Sequence, residues 1–377
     1  MKIIHCLFDD KFTDGTIRLY QSDDRHINKY VIVTKKKEIP SIQYIKYKDV
    51  TILTVESFLQ MAKEYDVVIL HSLKCLPIYC IHRIPSSCKV VWYAWGFDLY
   101  YGINPIIKLN LYQKYTKRFT LFERQLDKLL QIPSCLINLE FGRQALERIN
   151  YFSGVFPYEY DLLKKNHPFI SAKKLDYYYG DIDFFIKNEV DTSILSDRHN
   201  VIIGNSGDPS NNHYEALLAL KQYHFEPETK IILPFNYGGS KKYKEWVLGL
   251  ANKLYPNQVY VLDRFLPLDE YINLVSRCKV AIFNHERQQA SDNIFMQLLY
   301  GAKVYLSETS GTYIYLKELG FKVFPLQQGM GGDNFDYSPE DILYNRRLLT
   351  KLYSESTILN RVKLINNIIE SELQTIS

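Results

Sequence analysis

Cysteine is sparse and scattered. Cys6, Cys75, Cys80, Cys88, Cys135 and Cys278 form no CxxC pair and share no His/Cys spacing that suits zinc, which argues against a disulfide scaffold or a structural metal site. The six read as reduced, mostly buried thiols. Long apolar runs are missing as well: no window of about 18 apolar residues occurs, so membrane spanning is not expected. The opening MKIIHCLF has no charged region followed by an extended apolar run, so secretion is not expected and the compartment reads as cytoplasmic. Excess charge is also lacking. The 46 Lys and Arg against 42 Asp and Glu leave +4, too little to argue for nucleic acid, and no RNA-binding signature is present. Neither GxGxxG nor GxxxxGK[ST] occurs, which takes support from dinucleotide and P-loop chemistry.

What is present fits a soluble globular protein: 46% of the 377 residues are hydrophobic and 23% charged. That length predicts two domains, and two stacked domains imply a cleft. Short apolar runs alternate with amphipathic stretches: KIIHCLF, KYVIVT, VTILTV, DVVILH and CKVVWYAW, then NVIIGN, KIILPF, VYVLD, KVAIFN, KVYLS and FKVFPL. This is an α/β pattern in which runs such as VVIL are apolar on both faces, as parallel strands covered by helices require, with AKEYD and YEALLALKQYH supplying intervening helices. Each half reads as a doubly wound, Rossmann-like sheet. The rhythm breaks between about 150 and 198, a stretch rich in Tyr, Phe and Asp. The expected domains are therefore 1–180, with the Tyr-rich junction, and 195–345, with 346–377 a helical segment able to cross back.

Ligands of open parallel sheets bind beyond the carboxyl ends of the strands, so the polar segments there carry the candidates. GNSGDPSNNHYEALLAL leads into a helix from near His213. Its Gly204 and Gly207 permit tight turns, and the helix N-terminus offers unpaired N–H groups to a diphosphate; the same residues also suit a capped strand-to-helix turn. In NHERQQASDN, Arg287 could pair with a diphosphate while Gln288, Gln289 and Asp292 offer hydrogen bonds to sugar or ribose hydroxyls, the alternative being an ion pair of Arg287 with Glu286. In VVWYAWGFDLYYG, Trp95 and Tyr100 have faces that stack on sugar rings, Gly96 allows close approach and Asp98 could accept a proton, although these residues could equally plug the sheet's end. His71 is a second possible base or a structural histidine. Residues 105–130 set Lys108, Lys114, Lys117, Arg118, Arg124 and Lys128 among Leu109, Tyr112, Tyr115, Phe119 and Phe122. Such a segment either lies on an anionic bilayer or is an ordinary surface helix.

WGFDLY, GNSGDPSNNHYEAL and the ERQQ segment together resemble the bacterial 4-acetamido-4,6-dideoxygalactose (Fuc4NAc) transferases, glycosyltransferase family 56, also called 4-alpha-L-fucosyltransferases. The likeness spans most of the chain. Its most specific element is GNSGD-x-SN-x-H-x-x-AL, and Tyr237, Asp269 and Tyr271 also fall where the family has matching residues. The resemblance implies a GT-B fold, two Rossmann-like doubly wound domains facing across a cleft, with nucleotide sugar on the C-terminal domain and acceptor on the N-terminal one. It implies a dTDP-linked deoxyamino sugar as donor co-substrate, no further cofactor, no essential metal, and a polyprenyl-diphosphate-linked saccharide as acceptor. The protein would then lie peripherally on the inner face of the cytoplasmic membrane.

Carried over onto this chain, the donor residues are Gly204, Asn205, Ser206, Gly207, Asp208, Ser210, Asn211 and His213 with Arg287, Gln288 and Gln289. Trp95, Gly96, Asp98 and Tyr100 line the acceptor side, together with His5, Asp10 and His71. Asp98 or His71 is the expected base. The chain departs from the family after RQQ, where Ala290–Asn293 replace a glycine-containing stretch, and at SETSGTYIY. A GT-B transferase using a UDP- or GDP-sugar for a capsule, a silent nucleotide- or carbohydrate-binding module, and an oxidoreductase are the competing expectations.

Overall fold

The structure, a computed structural model, describes residues 1–34, 44–101, 105–123, 141–180, 182–183, 198–330 and 335–375, without the side chains of 328 and 329. The chain divides into two compact units: Met1–Lys108, Asp127–Asp181 and Glu355–Ser377 form the first, Leu109–Leu126 and Ile182–Ser354 the second.

The apolar runs become strands because their side chains are covered on both faces. In the first unit β1 (Lys2–Leu7), β2 (Ile27–Thr34), β3 (Val50–Thr54), β4 (Val67–Leu70), β5 (Lys89–Tyr93), β6 (Tyr151–Ser153) and β7 (Lys173–Lys174) form one parallel sheet in the order β3-β2-β1-β4-β5-β6-β7. In the second, β8 (Asn200–Ile203), β9 (Ile231–Pro234), β10 (Val259–Leu262), β11 (Cys278–Phe283), β12 (Lys303–Leu306) and β13 (Phe324–Pro325) form a parallel sheet ordered β10-β9-β8-β11-β12-β13. In both, the chain winds outward from the first strand and then returns to its other side. The winding reverses between β1 and β4 and again between β8 and β11, the two places where a doubly wound sheet opens a crevice for ligand.

Helix spacing supplies the cover. Ala216, Leu217 and Leu220 of helix His213–Leu220 and Tyr243, Val247 and Ala251 of helix Lys241–Leu254 lie at helical intervals and bury against Val201, Ile203, Ile231, Leu233, Val280 and Ile282. Each fully buried Leu, Ile or Val is worth about 2 kcal/mol. Ser240 starts the second of these helices by accepting Tyr243 N–H at 3.1 Å. At Ser354, helix Pro339–Tyr353 gives way to helix Glu355–Gln374. The latter buries Ile358, Val362, Ile365 and Ile369 and packs on helix Thr13–Gln21, with Asn366 donating to Asp23 Oδ2 at 3.0 Å.

Two local expectations change. The Tyr-rich stretch contributes β6 and β7 to the first sheet; strands of three and two residues are too short to show as apolar runs. The helix between β3 and β4 is Val55–Ala62, which ends on the first residue of AKEYD. Cys6, Cys75, Cys80, Cys88 and Cys278 are free and buried, and Cys135 lies outside the described residues. Among the described residues no helix is long and apolar enough to cross a membrane.

Candidate active site

The loop leaving β8 is a braced structure. Gly204 has φ +73°, and a Cβ there would come within 2.6 Å of Asn211 Oδ1 and 2.8 Å of His213 Nε2, so glycine is required by both dihedral and space. Asn211, fully buried, accepts Asn205 N–H at 3.0 Å and faces His285 Nε2 at 2.8 Å through Oδ1. Its Nδ2 donates to Asp208 O at 2.9 Å and Ser206 Oγ at 3.2 Å. Asp208 caps Ser210 N–H at 2.8 Å. Gly207 N–H donates to Tyr237 O at 2.7 Å, and a Cβ on Gly239 would fall 1.9 Å from Gly207 O, so this loop and the one after β9 pack backbone against backbone. His213 sits beneath Gly204 with Nδ1 3.1 Å from Tyr243 OH; burial pushes its pKa down to about 3, so it is neutral.

The loop leaving β11 is tied into the same cluster. Ser210 Oγ donates to Gln289 Oε1 at 2.7 Å, Gln289 Nε2 to Asn205 Oδ1 at 2.8 Å, and Asn205 Nδ2 to Tyr237 OH at 2.9 Å, so one hydrogen-bonded chain joins the loops after β8, β9 and β11. Arg287 is buried, its Nη1 donating to Gln288 O at 2.7 Å; burial first and then the Arg287 charge hold the pKa of His285 well below its ordinary value, and the same charge opposes the rise that burial causes at Tyr237. Glu286 is engaged elsewhere, accepting from Gln113 Nε2 at 2.7 Å, Ser307 Oγ at 2.9 Å and Thr309 Oγ1 at 2.8 Å. Gln288 is also buried, while Asp292 lies in the first turn of helix Ser291–Tyr300. Ala290, which precedes that helix, takes φ +60°.

Tyr237 is 45% exposed and lies parallel to Phe265, 72% exposed, with centroids 5.9 Å apart and planes 10° apart. Both rings stand just past the carboxyl ends of neighbouring strands, β9 and β10.

In the first unit the switch point holds a small cavity of about 20 Å³, lined by Asp10, Thr16, His71, Tyr93, Trp95 and Tyr177 among others. His5, on β1, faces His71 with Nδ1 3.0 Å from His71 Nε2 and faces Asn28 Oδ1 with Nε2 at 3.0 Å. Burial brings His5 down to about 4 and His71 well below its ordinary value, so both are neutral. Half-buried Trp95 stacks on Tyr179 (centroids 4.3 Å) and donates Nε1–H to His71 O at 2.8 Å. Asp10 accepts Phe12 N–H at 2.9 Å, and partial burial raises its pKa.

Three residues singled out with these turn inward. Asp98 accepts Ser72 Oγ at 2.6 Å on Oδ1, with Trp95 N–H at 3.1 Å and Trp92 Nε1–H at 3.4 Å on Oδ2; burial raises its pKa to about 6. Tyr100, buried, donates to Glu159 Oε1 at 2.8 Å. Gly96 is buried and opens the short helix Gly96–Leu99, accepting Tyr100 N–H at 3.0 Å.

The sequence reading overlooked Gln113, Asn212 and His285. Asn212 accepts Gln113 N–H at 2.9 Å and donates to Asn284 O at 2.9 Å, and Gln113 Nε2 donates to Asn284 Oδ1 at 2.9 Å. Partners 72 to 171 residues apart leave no local signal. The expectation that the chain has no D-x-D pair, taken as fitting the absence of an essential metal, is wrong: Asp181-Ile182-Asp183 is one, and Asp181 lies outside the described residues. Arg124 and Lys128 lie outside them as well.

Two doubly wound parallel units with polar loops at their switch points have the fold of GT-B glycosyltransferases. HepE from Anabaena, solved in complex with UDP-glucose, superposes with a TM-score of 0.63 at 13% identity, covering 97% of this chain and 99% of that one. Sucrose-phosphate synthase from Thermosynechococcus elongatus gives 0.67 at 11%, covering 99% and 100%. At such identities the likeness is one of fold. Residues 152–324 match the model of the 4-alpha-L-fucosyltransferase family, glycosyl transferase group 56. Over that stretch the chain is similar to the glycosyltransferases of that group.

Proposed function

We propose that the protein transfers a 4-acetamido-4,6-dideoxyhexose of the Fuc4NAc type from a dTDP-sugar to a polyprenyl-diphosphate-linked saccharide, in surface-glycan biosynthesis at the inner face of the cytoplasmic membrane. The observation that carries this reading is the convergence of GNSGDPSNNH and ERQQ at the β8/β11 switch point, bound to each other through Ser210–Gln289 and Asn211–His285. Both lie within the stretch matched by the family. N–H groups at the start of helix His213–Leu220 and the Arg287 guanidinium take the diphosphate and stabilise it as it leaves. Tyr237 and Phe265 give the nucleobase a flat face, and Gln288 and Asp292 serve the sugar hydroxyls.

The acceptor belongs to the first unit, where Trp95 offers a ring face in the cavity and Asp10 and His71 are the titratable groups that line it. We assign the base to His71 rather than Asp98, because both Asp98 oxygens accept hydrogen bonds that hold the β5 turn together. Membrane contact falls to helix Lys114–Glu123. Its buried side carries Thr116 and Thr120 and stacks Phe119 on Trp246 (4.5 Å), while Lys114, Lys117 and Arg118 point to solvent beside Leu121 and Phe122, the latter 90% exposed. Cations flanking exposed apolar side chains suit an anionic bilayer surface.

A UDP-sugar donor is the second reading, favoured by the UDP-glucose held by HepE on the same fold. The deciding assay incubates the protein and a polyprenyl-diphosphate disaccharide with dTDP-4-acetamido-4,6-dideoxygalactose or with UDP-hexoses. Extension of the lipid only with the dTDP-sugar supports the first reading; extension only with a UDP-hexose replaces it with the second.

A further inference from the structure

Asn28 lies on β2, paired in register with Ile3 of β1, and its amide has one allowed orientation. Nδ2 lies 3.2 Å from Tyr20 O and 3.5 Å from His26 O; two carbonyls require the NH2 end, so Oδ1 is the atom facing His5 Nε2 at 3.0 Å. An acceptor at that place requires His5 to carry its proton on Nε2 and leaves Nδ1 as a lone pair. His71 Nε2, 3.0 Å from that lone pair, must then carry the proton of its own ring. The lone pair of His71 is thereby fixed on Nδ1, in a ring that lines the switch-point cavity.

We propose that Asn28 is a positioning residue which, acting through His5, holds His71 in the one tautomer whose Nδ1 can take the proton of the acceptor hydroxyl. This rests on the reading of the first unit as the acceptor side. In the step, the hydroxyl proton passes to His71 Nδ1, and an oxygen lone pair forms the new bond to the anomeric carbon. The bond from that carbon to the diphosphate breaks with its electron pair leaving on the nucleoside diphosphate. A single displacement of this kind inverts the anomeric centre. The imidazolium keeps its Nε2–H on His5 Nδ1, so the charge is shared by two rings whose far end Asn28 holds.

The surroundings favour this use. The rings facing the pair are Tyr20 from helix Thr13–Gln21, Tyr30 from β2, Tyr93 from β5 and Tyr177 beyond β7, with centroids 4.4–6.4 Å away. Burial raises the pKa of all four phenols, so they stay uncharged at neutral pH. An imidazole pair among uncharged rings is deprotonated and ready, and an amide at its end sets direction without adding charge.

Two measurements test the proposal on the full chain. Long-range proton–nitrogen correlation spectra of histidine-labelled protein, assigned with His5→Gln and His71→Gln, are expected to show both rings protonated on Nε2; a His71 protonated on Nδ1 overturns the relay. This readout needs no turnover, so it stands even where the transfer reading fails. In the transfer assay, Asn28→Ala is expected to lower kcat about 10- to 100-fold with the donor KM unchanged. Asn28→Asp, which puts a carboxylate at the end of the chain, is expected to restore part of that rate and move the acid limb of the kcat/KM profile upward by about one pH unit. An Asn28→Asp profile superposable on the parent's assigns Asn28 a purely structural role and overturns the proposal.

Discussion

Asn211 and His285 meet across the switch point of the second sheet, Asn211 Oδ1 lying 2.8 Å from His285 Nε2, so that one buried amide joins the loops after β8 and β11. The same oxygen holds Asn205 N–H at 3.0 Å. The loops therefore form a single prearranged surface, on which a bound ligand would meet no large ordering cost. Asn211→Ala is expected to lower stability by about 3 kcal/mol, because it leaves several buried donors and acceptors unmatched. It should also weaken donor binding beyond the loss of folded protein. Urea unfolding together with a donor KM taken well below the melting temperature checks both.

Ala290 takes φ +60°, a left-handed conformation that costs a Cβ-bearing residue about 1 kcal/mol. Ala290→Gly is expected to stabilise the second unit by about that amount, read as a higher urea midpoint. A lower midpoint contradicts the strain.

Arg287 is buried beside the loop that follows β8, and its charge reaches both His285 and Tyr237. Arg287→Ala is expected to lower kcat about 100- to 1000-fold, as loss of a preorganised stabiliser of leaving-group charge does, while moving the melting temperature little. A folded variant with parental kcat removes Arg287 from the mechanism.

Much of the fold is legible in the sequence, because a strand covered on both faces has to be apolar on both. DVVILH and CKVVWYAW contain β4 and β5, and KVAIFN holds all of β11 but its first residue, Cys278. The loops at the strand ends follow from those strands. Side-chain direction does not. Asn211 and Asp98 are the same residue types whether they face ligand or brace a turn, and only the structure shows four hydrogen bonds converging on Asn211 and both oxygens of Asp98 engaged. The Asn28–His5–His71 chain is equally silent, joining β2, β1 and the residue after β4 through pairs 23 and 66 positions apart.

Stability is expected to fall on acidification between about pH 6.5 and 4. His5, His71, His213 and His285 are buried and neutral, with folded pKa values below the unfolded value of 6.5, His5 at about 4 and His213 at about 3. The unfolded chain binds those protons first, so the contribution is complete above pH 6.5 and is lost as pH drops. Asp98, raised to about 6, and Asp10, also raised by burial, act in the opposite sense as pH falls but are two groups against four. Each net proton is worth about 1.4 kcal/mol per pH unit. A urea midpoint at pH 5 equal to or above that at pH 7 contradicts the burial of this set.

Replacing Lys114, Lys117 and Arg118 with Glu is expected to abolish sedimentation with anionic liposomes at low salt, and Phe122→Ser to reduce it without loss of stability, since that ring is 90% exposed. Unchanged sedimentation in both removes the helix from the membrane contact.

Phe265→Ala is expected to raise the donor KM about tenfold with kcat preserved, the usual worth of one stacked base. An unchanged KM leaves the Tyr237–Phe265 pair without a role in binding.

The most direct test of the whole account is a thermal-shift titration of the purified protein with dTDP, UDP, GDP and NAD. A nucleotide that binds only the folded protein at 100 times its Kd adds about 2.7 kcal/mol, a rise on the order of 5 °C for a unit of this size. The account predicts that rise for dTDP, smaller ones for UDP and GDP, and none for NAD. A larger rise with UDP or GDP contradicts the dTDP donor, and no rise with any nucleotide contradicts a preformed diphosphate site at GNSGDPSNNH.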